Sequence, residues 1–260
     1  MEIFLLIVLF IGSVMGMTGA GGGILSVPLI VSFTQLSMTE AAPIGLMTVL
    51  SASSVSAMLG LKHGHVRYRA AILMSIFGII FSAAGLWVAH HTSNHILSIV
   101  FSIILLWSAF NTLRSKGDVT HNEIFTCDQN LDTKRFIWTK KCSLFMMISG
   151  SLAGFLSGML GVGGGFIIVP ALKKLSSLSH QSIIATSLTT ISIVSSFIVL
   201  TGSLTLQNIN WNIVLPSLLG SITGIIITKS IHKKLNAEIF NKIFAFLLIA
   251  VALLLLSKSF

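Results

Sequence analysis

A glycine-rich stretch that occurs twice constrains the fold of this chain more than any other feature. The first copy, GMTGAGGGILSVP, runs from Gly16 to Pro28, and the second, GMLGVGGGFIIVP, runs from Gly158 to Pro170. Each copy places four glycines within five positions, at 19–23 and at 161–165, inside an apolar run. Glycine is a weak helix former and adopts positive φ freely, so each cluster predicts an interruption in a helix.

The repeat extends beyond the glycines. Pro28 and Pro170 lie 142 positions apart, and the same offset relates other identical residues without a gap. These pairs are Thr48 and Thr190, Ser53-Ser54 and Ser195-Ser196, Gly60 and Gly202, and Gly78 and Gly220. An offset that stays in register over this length indicates an internal duplication of about half the chain.

The composition indicates an all-α polytopic membrane protein. Hydrophobic residues make up 54% of the 260 residues and charged residues only 9%, against about 25% charged residues in a soluble domain. The net charge of +9 comes from basic residues in short loops between apolar runs. This is the positive-inside pattern of an inner membrane protein, so nucleic acid is not an expected partner.

The apolar runs divide the chain into two halves. Residues 1–113 are predicted to form a first membrane repeat, residues 114–141 a cytoplasmic linker, and residues 142–260 a second repeat. In the first half, two short runs at 3–17 and 24–33 flank the glycines, and neither reaches the ~20 residues of a full span. The predicted spans that follow are 41–61, 70–89 and 95–113. The second half repeats this with 142–160, 166–172, 182–204, 212–228 and 237–256.

Loop charge predicts that the two halves face opposite ways. After the glycine-rich pair, the first half has a loop without Lys or Arg, then a basic loop, then another without them. The second half has the order basic, uncharged, basic. Equivalent loops therefore lie on opposite sides, which predicts an inverted-topology repeat with a cytoplasmic linker and both termini outside. The halves would hold about five plus five segments, each half starting with a broken or re-entrant helical hairpin.

Two cysteines, Cys127 and Cys142, lie in or beside the central linker. Two residues do not make a disulfide framework. Because the linker is predicted to lie in the reducing cytoplasm, both cysteines are expected to be free thiols.

Enzymatic chemistry is not expected. The seven acidic residues lie at termini, in turns or in the linker, so no carboxylate is predicted within a span. The glycine clusters lack the spacing of a dinucleotide-binding fingerprint, and no Gly-Lys-Ser/Thr follows them as in a P-loop. No metal site or cofactor is predicted. The clusters also match G-x-x-x-G, so close helix packing remains an alternative to a binding role.

The residues available to a site are backbone N–H groups, hydroxyls and helix ends. Helix N-termini carry partial positive charge, and those predicted at Ile24 and Phe166 would point at the glycine breaks. Donors without fixed negative charge suit a small oxyanion. The hydroxyls of the spans have an alternative role, bonding to their own backbone or to a neighbouring helix. The predicted substrate-binding residues are Thr18, Gly19, Gly21, Gly22, Gly23, Thr48, Gly161, Gly163, Gly164, Gly165, Thr186, Ser187 and Thr190.

The two glycine clusters running into Val27-Pro28 and Val169-Pro170, together with Ala185-Thr186-Ser187-Leu188, resemble the TauE/SafE family of sulfite exporters. The resemblance covers nearly the whole chain. It implies a multi-pass carrier in the bacterial cytoplasmic (inner) membrane that exports sulfite, organosulfonates or related sulfur oxyanions. One departure is that the first half has Ile44-Gly45 where the second has Thr186-Ser187.

The expected partners are a small anionic substrate and the lipid bilayer, and a homodimer is one option for the assembly. Two alternatives stay open from the sequence. One is a permease of the same fold for another small anion, and the other is a membrane scaffold or assembly protein that transports nothing.

Overall fold

The computed structural model describes residues 9, 12–14, 21–34, 36–114, 127, 139–201, 211–231 and 237–259. Regular structure in these ranges is helical, apart from an isolated parallel bridge between Cys127 and Ser176. The helices are α1 (Gly21–Thr34), α2 (Met38–Lys62), α3 (Tyr68–His91), α4 (Asn94–Arg114), α5 (Lys140–Leu160), α6 (Gly165–Leu175), α7 (His180–Thr201), α8 (Trp211–Ile231) and α9 (Ala237–Ser259).

Five of these helices, α2, α3, α4, α5 and α7, are long and apolar enough to cross a membrane. Shorter apolar stretches occupy α1, α8 and α9, at Gly22–Thr34, Ile213–Thr228 and Lys242–Ser257. The prediction of an all-α polytopic membrane protein is confirmed. From residue 24 onward, the predicted apolar runs agree with the helices to within a few residues, and most of the run predicted at 3–17 lies outside the described residues.

Helix α2 begins earlier than predicted, and its first residues show why. A span was predicted from residue 41, but α2 begins at Met38. The Glu40 carboxylate accepts hydrogen bonds from the Ser37 backbone N–H at 2.9 Å and from the Ser37 hydroxyl at 2.7 Å. Such a pairing stabilises a helix N-terminus, so polar residues that were predicted to form a turn belong to the first turn of the helix.

Helices α3 and α5 approach each other through small residues. A Cβ added at Gly154 would clash with the backbone of Gly78, and one at Gly158 would clash with the Ser82 carbonyl. Residues further along α5 contact residues further along α3. The two helices therefore run parallel and begin on the same side of the molecule. Because glycine has no side chain, the two backbones can approach closely, which is a common way for helices to pack in membranes.

Helices α2 and α7 cross in opposite directions. A Cβ on Gly60, near the end of α2, would lie 3.0 Å from the Ala185 Cβ near the start of α7. Closer to the middle of both helices, the Ser54 and Ser192 hydroxyls share a 2.9 Å hydrogen bond. These two helices are also equivalent elements of the sequence repeat, since Thr48 and Thr190 occupy matching positions in them.

The prediction of free cysteines is wrong, because Cys127 and Cys142 form a disulfide. Both residues are fully buried, in an apolar cluster that includes Met146 and Leu172. The bridge between Cys127 and Ser176 holds this part of the linker beside the end of α6. The prediction relied on the number of cysteines and on the predicted compartment, whereas in the structure the two sulfur atoms are bonded.

Candidate functional site

The second glycine cluster interrupts the helix, as predicted. Helix α5 ends at Leu160 and α6 begins at Gly165. Between them Gly161, Gly163 and Gly164 adopt φ values of +76°, +78° and +63°. These left-handed conformations are readily adopted by glycine and disfavoured for residues with a Cβ. Residues 161–165 are all buried, so the structure contains a stretch of enclosed non-helical backbone.

The first cluster differs from the second. Residues Gly21–Gly23 form the first turn of α1, so the predicted helix N-terminus at Ile24 is wrong by three residues. Glycine costs only about 1 kcal/mol in a helix, and Gly22 and Gly23 are both buried in the structure. The remaining predicted residues of this cluster, Thr18 and Gly19, lie outside the described residues.

Helix α1 packs against the break, which is the non-helical backbone at 161–164 between α5 and α6. A Cβ on Gly23 would lie 2.9 Å from the Val162 carbonyl oxygen, so the first turn of α1 lies directly against this backbone. Val49 of α2 and Ile191 of α7 would both contact a Cβ on Gly163, at 2.6 and 3.0 Å. The break is therefore enclosed by α1, α2 and α7, and residues of both glycine clusters meet there.

The start of α6 provides hydrogen-bond donors beside the break. The Ile167 N–H donates to the Gly164 carbonyl at 3.1 Å, while Gly165 and Phe166 occupy the first positions of α6. The first N–H groups of a helix have no acceptor within it, and the helix dipole adds partial positive charge there. In the part of the chain with described side chains, no cluster of His, Cys, Asp or Glu could hold a metal ion.

Of the five predicted hydroxyls, four lie within the described residues, and three of these four donate to their own helices. Thr48 donates to the Ile44 carbonyl at 2.8 Å, and its equivalent Thr190 donates to the Thr186 carbonyl at 3.0 Å. Ser187 donates to the Ile184 carbonyl at 2.9 Å. These bonds match the structural role that was the alternative for hydroxyls in spans.

Thr186 is different, because its side-chain oxygen accepts a hydrogen bond. The donor is the backbone N–H of Arg67, at 3.0 Å, and Thr186 is fully buried. An accepting hydroxyl keeps its own hydrogen for a further partner. Thr186 therefore contacts a loop that was not predicted to belong to the site.

Arg67 itself was missed. It precedes α3, and its Nε is buried and has no hydrogen-bond partner within the described structure. The loop composition carries no signal for this burial, since Lys62 and Arg69 are basic neighbours with exposed side chains.

At the end of α6, burial lowers the pKa of the partly buried Lys173 below its ordinary value.

Known proteins resemble this chain over nearly its whole length. The chain matches the family described as Sulfite exporter TauE/SafE over residues 4–255. Two similar relatives are probable membrane transporter proteins of Xylella fastidiosa. They are 26% identical (strain 9a5c) and 28% identical (strain Temecula1), over 96% of this chain and 92% of each relative.

A third relative, the probable membrane transporter protein YunE of Bacillus subtilis, is 25% identical over 94% of this chain and 92% of its own length. No solved structure matches the chain significantly. The family match and the relatives both cover nearly the whole chain, and its helices suit a multi-pass membrane protein. The chain therefore belongs to the TauE/SafE sulfite exporter family of membrane transporters.

Proposed function

We propose that this chain is a secondary transporter that exports small sulfur-containing anions, such as sulfite or organosulfonates, across the cytoplasmic membrane. The observation that carries the proposal is the buried backbone break at 161–164, enclosed by α1, α2 and α7. Non-helical backbone at membrane depth persists where protein buries it or where it lines a cavity. Broken helices of this kind form the substrate sites of many secondary transporters.

The chemistry of the break favours an anion. It offers N–H groups at the start of α6 and the partial positive charge of a helix N-terminus. Glu40 is the one acidic residue with a described side chain. It is exposed at the start of α2, and its carboxylate accepts hydrogen bonds from Ser37. Donors without a competing carboxylate suit sulfite or a sulfonate group, whose oxygens accept several hydrogen bonds.

The crossing of α2 and α7 supports two inverted halves. These helices are copies of each other in sequence and run antiparallel, as two repeats of opposite orientation would. The repeats would span 1–113 and 142–260, with a cytoplasmic linker at 114–141. Alternating access would then arise when one half rocks against the other around the break.

A role as a scaffold without transport is less well supported. It would use the G-x-x-x-G faces of the clusters for association with partners. In the structure, a Cβ on Gly161 would meet Ala42, and one on Gly23 would meet Val162 and Val49 of the same chain. These glycines therefore pack against other residues of the same chain.

A permease for a different small anion is the closer alternative. Ile44-Gly45 replaces the Thr186-Ser187 pair in the first half, so the two repeats offer different groups. A difference of this kind would alter which oxyanion binds best without altering the fold.

Transport by purified protein tests the proposal. Proteoliposomes and matched protein-free liposomes are offered sulfite, an alkyl sulfonate, thiosulfate or sulfate, and uptake is measured by ion chromatography. We expect uptake of sulfite or sulfonate above the protein-free control, and the same anions should raise the melting temperature in detergent. Uptake of sulfate alone would support the permease alternative, and the absence of both uptake and stabilisation would support a scaffold.

A further inference from the structure

We infer that Arg67 binds the transported anion at the basic end of the molecule, together with the Thr186 hydroxyl. The inference rests on the proposed function and adds a cationic recognition residue to it. The site predicted from sequence consists entirely of uncharged groups, and Arg67 belongs to a basic loop outside it.

The first observation is the state of the guanidinium group. Arg67 Nε is buried and without a hydrogen-bond partner among the described residues. A buried donor that lacks an acceptor is unfavourable, and charged donors are the most unfavourable of all. An arginine also presents donors in a planar fork that matches oxyanions. An anion at this position would satisfy the donor.

The second observation is the contact with Thr186. The Arg67 backbone N–H donates to the Thr186 side-chain oxygen at 3.0 Å, which fixes the residue beside the start of α7. The Thr186 hydroxyl hydrogen remains able to donate to a ligand. Ile191, which borders the glycine break, lies five residues further along α7, a distance of about 7.5 Å along a helix axis. Thr186 therefore lies within two helical turns of the residue that borders the break.

The third observation is the charge of this end of the molecule. Helices α3 and α5 begin on the same side, which places Arg67 and Arg69 on the side of Lys140 and Lys141. Glu40 lies near the far end of α2, 22 residues before Lys62, which is roughly 33 Å along the helix axis. Among the described side chains, this end of the molecule carries basic residues and no acidic residue, and such positive charge concentrates anions at a surface. Surface lysines would attract the anion, and the partly buried Arg67, whose Nε is enclosed, would bind it.

Arg69 provides a matched control, because it has the same side chain two residues away and is exposed. The experiment compares sulfite transport by wild-type, Arg67→Gln and Arg69→Gln proteins in proteoliposomes, with KM and maximal rate determined separately. We expect Arg67→Gln to raise KM roughly ten- to hundredfold through loss of a charged hydrogen bond. Arg69→Gln should leave KM within about twofold of wild type, since exposed charges contribute little.

If Arg67→Gln does not accumulate in the membrane, Arg67→Lys and Arg69→Lys replace the two glutamine variants. Lysine keeps the charge but loses the fork, so we expect a severalfold higher KM for Arg67→Lys and no change for Arg69→Lys. Equal KM values within a matched pair, with active wild-type protein, would overturn the role of Arg67 and leave the proposed function standing. Wild-type protein that moves none of the tested anions would overturn both.

Discussion

At the scale of single residues, two glycines with similar backbone angles have different surroundings. Gly64 adopts a φ of +67°, and a Cβ added there would have no neighbour within 4 Å, whereas Gly164 adopts +63° against Ala153. Both positions disfavour alanine, but only Gly164 also lies in the enclosed break. The pair therefore separates the cost of a left-handed conformation from the effect of filling the proposed site.

We expect Gly164→Ala to abolish sulfite transport and to lower thermal stability more than Gly64→Ala does. Alanine in a left-handed conformation costs about 1–2 kcal/mol at either position. At Gly164 the added methyl group must also displace the Ala153 backbone. Transport in proteoliposomes and melting in detergent provide the comparison. Equal stability and full transport by both variants would show that the break tolerates a side chain and is not the site.

At the scale of helices, the linker is fastened to the membrane region by one covalent bond. Cys127 and Cys142 are 15 residues apart and both are buried. Closing a loop of this length stabilises a protein by about 3 kcal/mol in the chain-entropy model. The disulfide and the Ser176 bridge together hold part of the linker beside α5 and α6.

We expect a reductant to lower the melting temperature of the wild-type protein in detergent. The Cys127→Ser/Cys142→Ser double variant should melt at the lower temperature with or without reductant, because it has no bond to break. Titration of the purified wild-type protein with a maleimide provides the second readout, and no thiol should react before reduction. Two reactive thiols under non-reducing conditions would contradict the pairing.

The helices could be predicted from sequence far better than their ends and contacts could. Apolar length and loop charge suffice for the spans, because the bilayer imposes them. The start of α1 at Gly21 could not be predicted, since packing decided whether weak helix formers became helical. The burial of Arg67 and the disulfide were missed for a related reason, because both depend on contacts between residues distant in sequence.

At the scale of the whole molecule, the relation between the halves decides how transport would work. Thr39 and Gln181 are equivalent under the 142-residue repeat, each is the second residue of its helix, and both are exposed. If the halves are inverted, these two positions face opposite sides of the membrane.

We expect single cysteines at Thr39 and Gln181 to be labelled from opposite sides by a membrane-impermeant maleimide. The variants are made in the Cys127→Ser/Cys142→Ser background, so that each protein carries one thiol. Thr39→Cys should react in intact cells, and Gln181→Cys only in inside-out vesicles. Labelling of both from the same side would contradict the inverted repeat.

Energy coupling also belongs to the whole molecule. A cell interior that is electrically negative favours the exit of an anion by ~2.3 kcal/mol per charge per 100 mV. This would support a roughly 50-fold outward gradient for a monoanion. The sequence predicts no carboxylate in the middle of a span for a proton relay, and Glu40, which the structure includes in α2, lies in the exposed first turn of that helix. We therefore propose electrogenic efflux driven mainly by the membrane potential.

The most direct measurement is sulfite efflux from loaded proteoliposomes, with the potential set by potassium and valinomycin and with pH and sodium equal on both sides. We predict efflux above that of protein-free liposomes, and efflux that accelerates as the interior is made more negative. Efflux that ignores the potential but follows a proton or sodium gradient would contradict the coupling. Sulfite efflux no faster than from protein-free liposomes, at any potential, would contradict sulfite export itself.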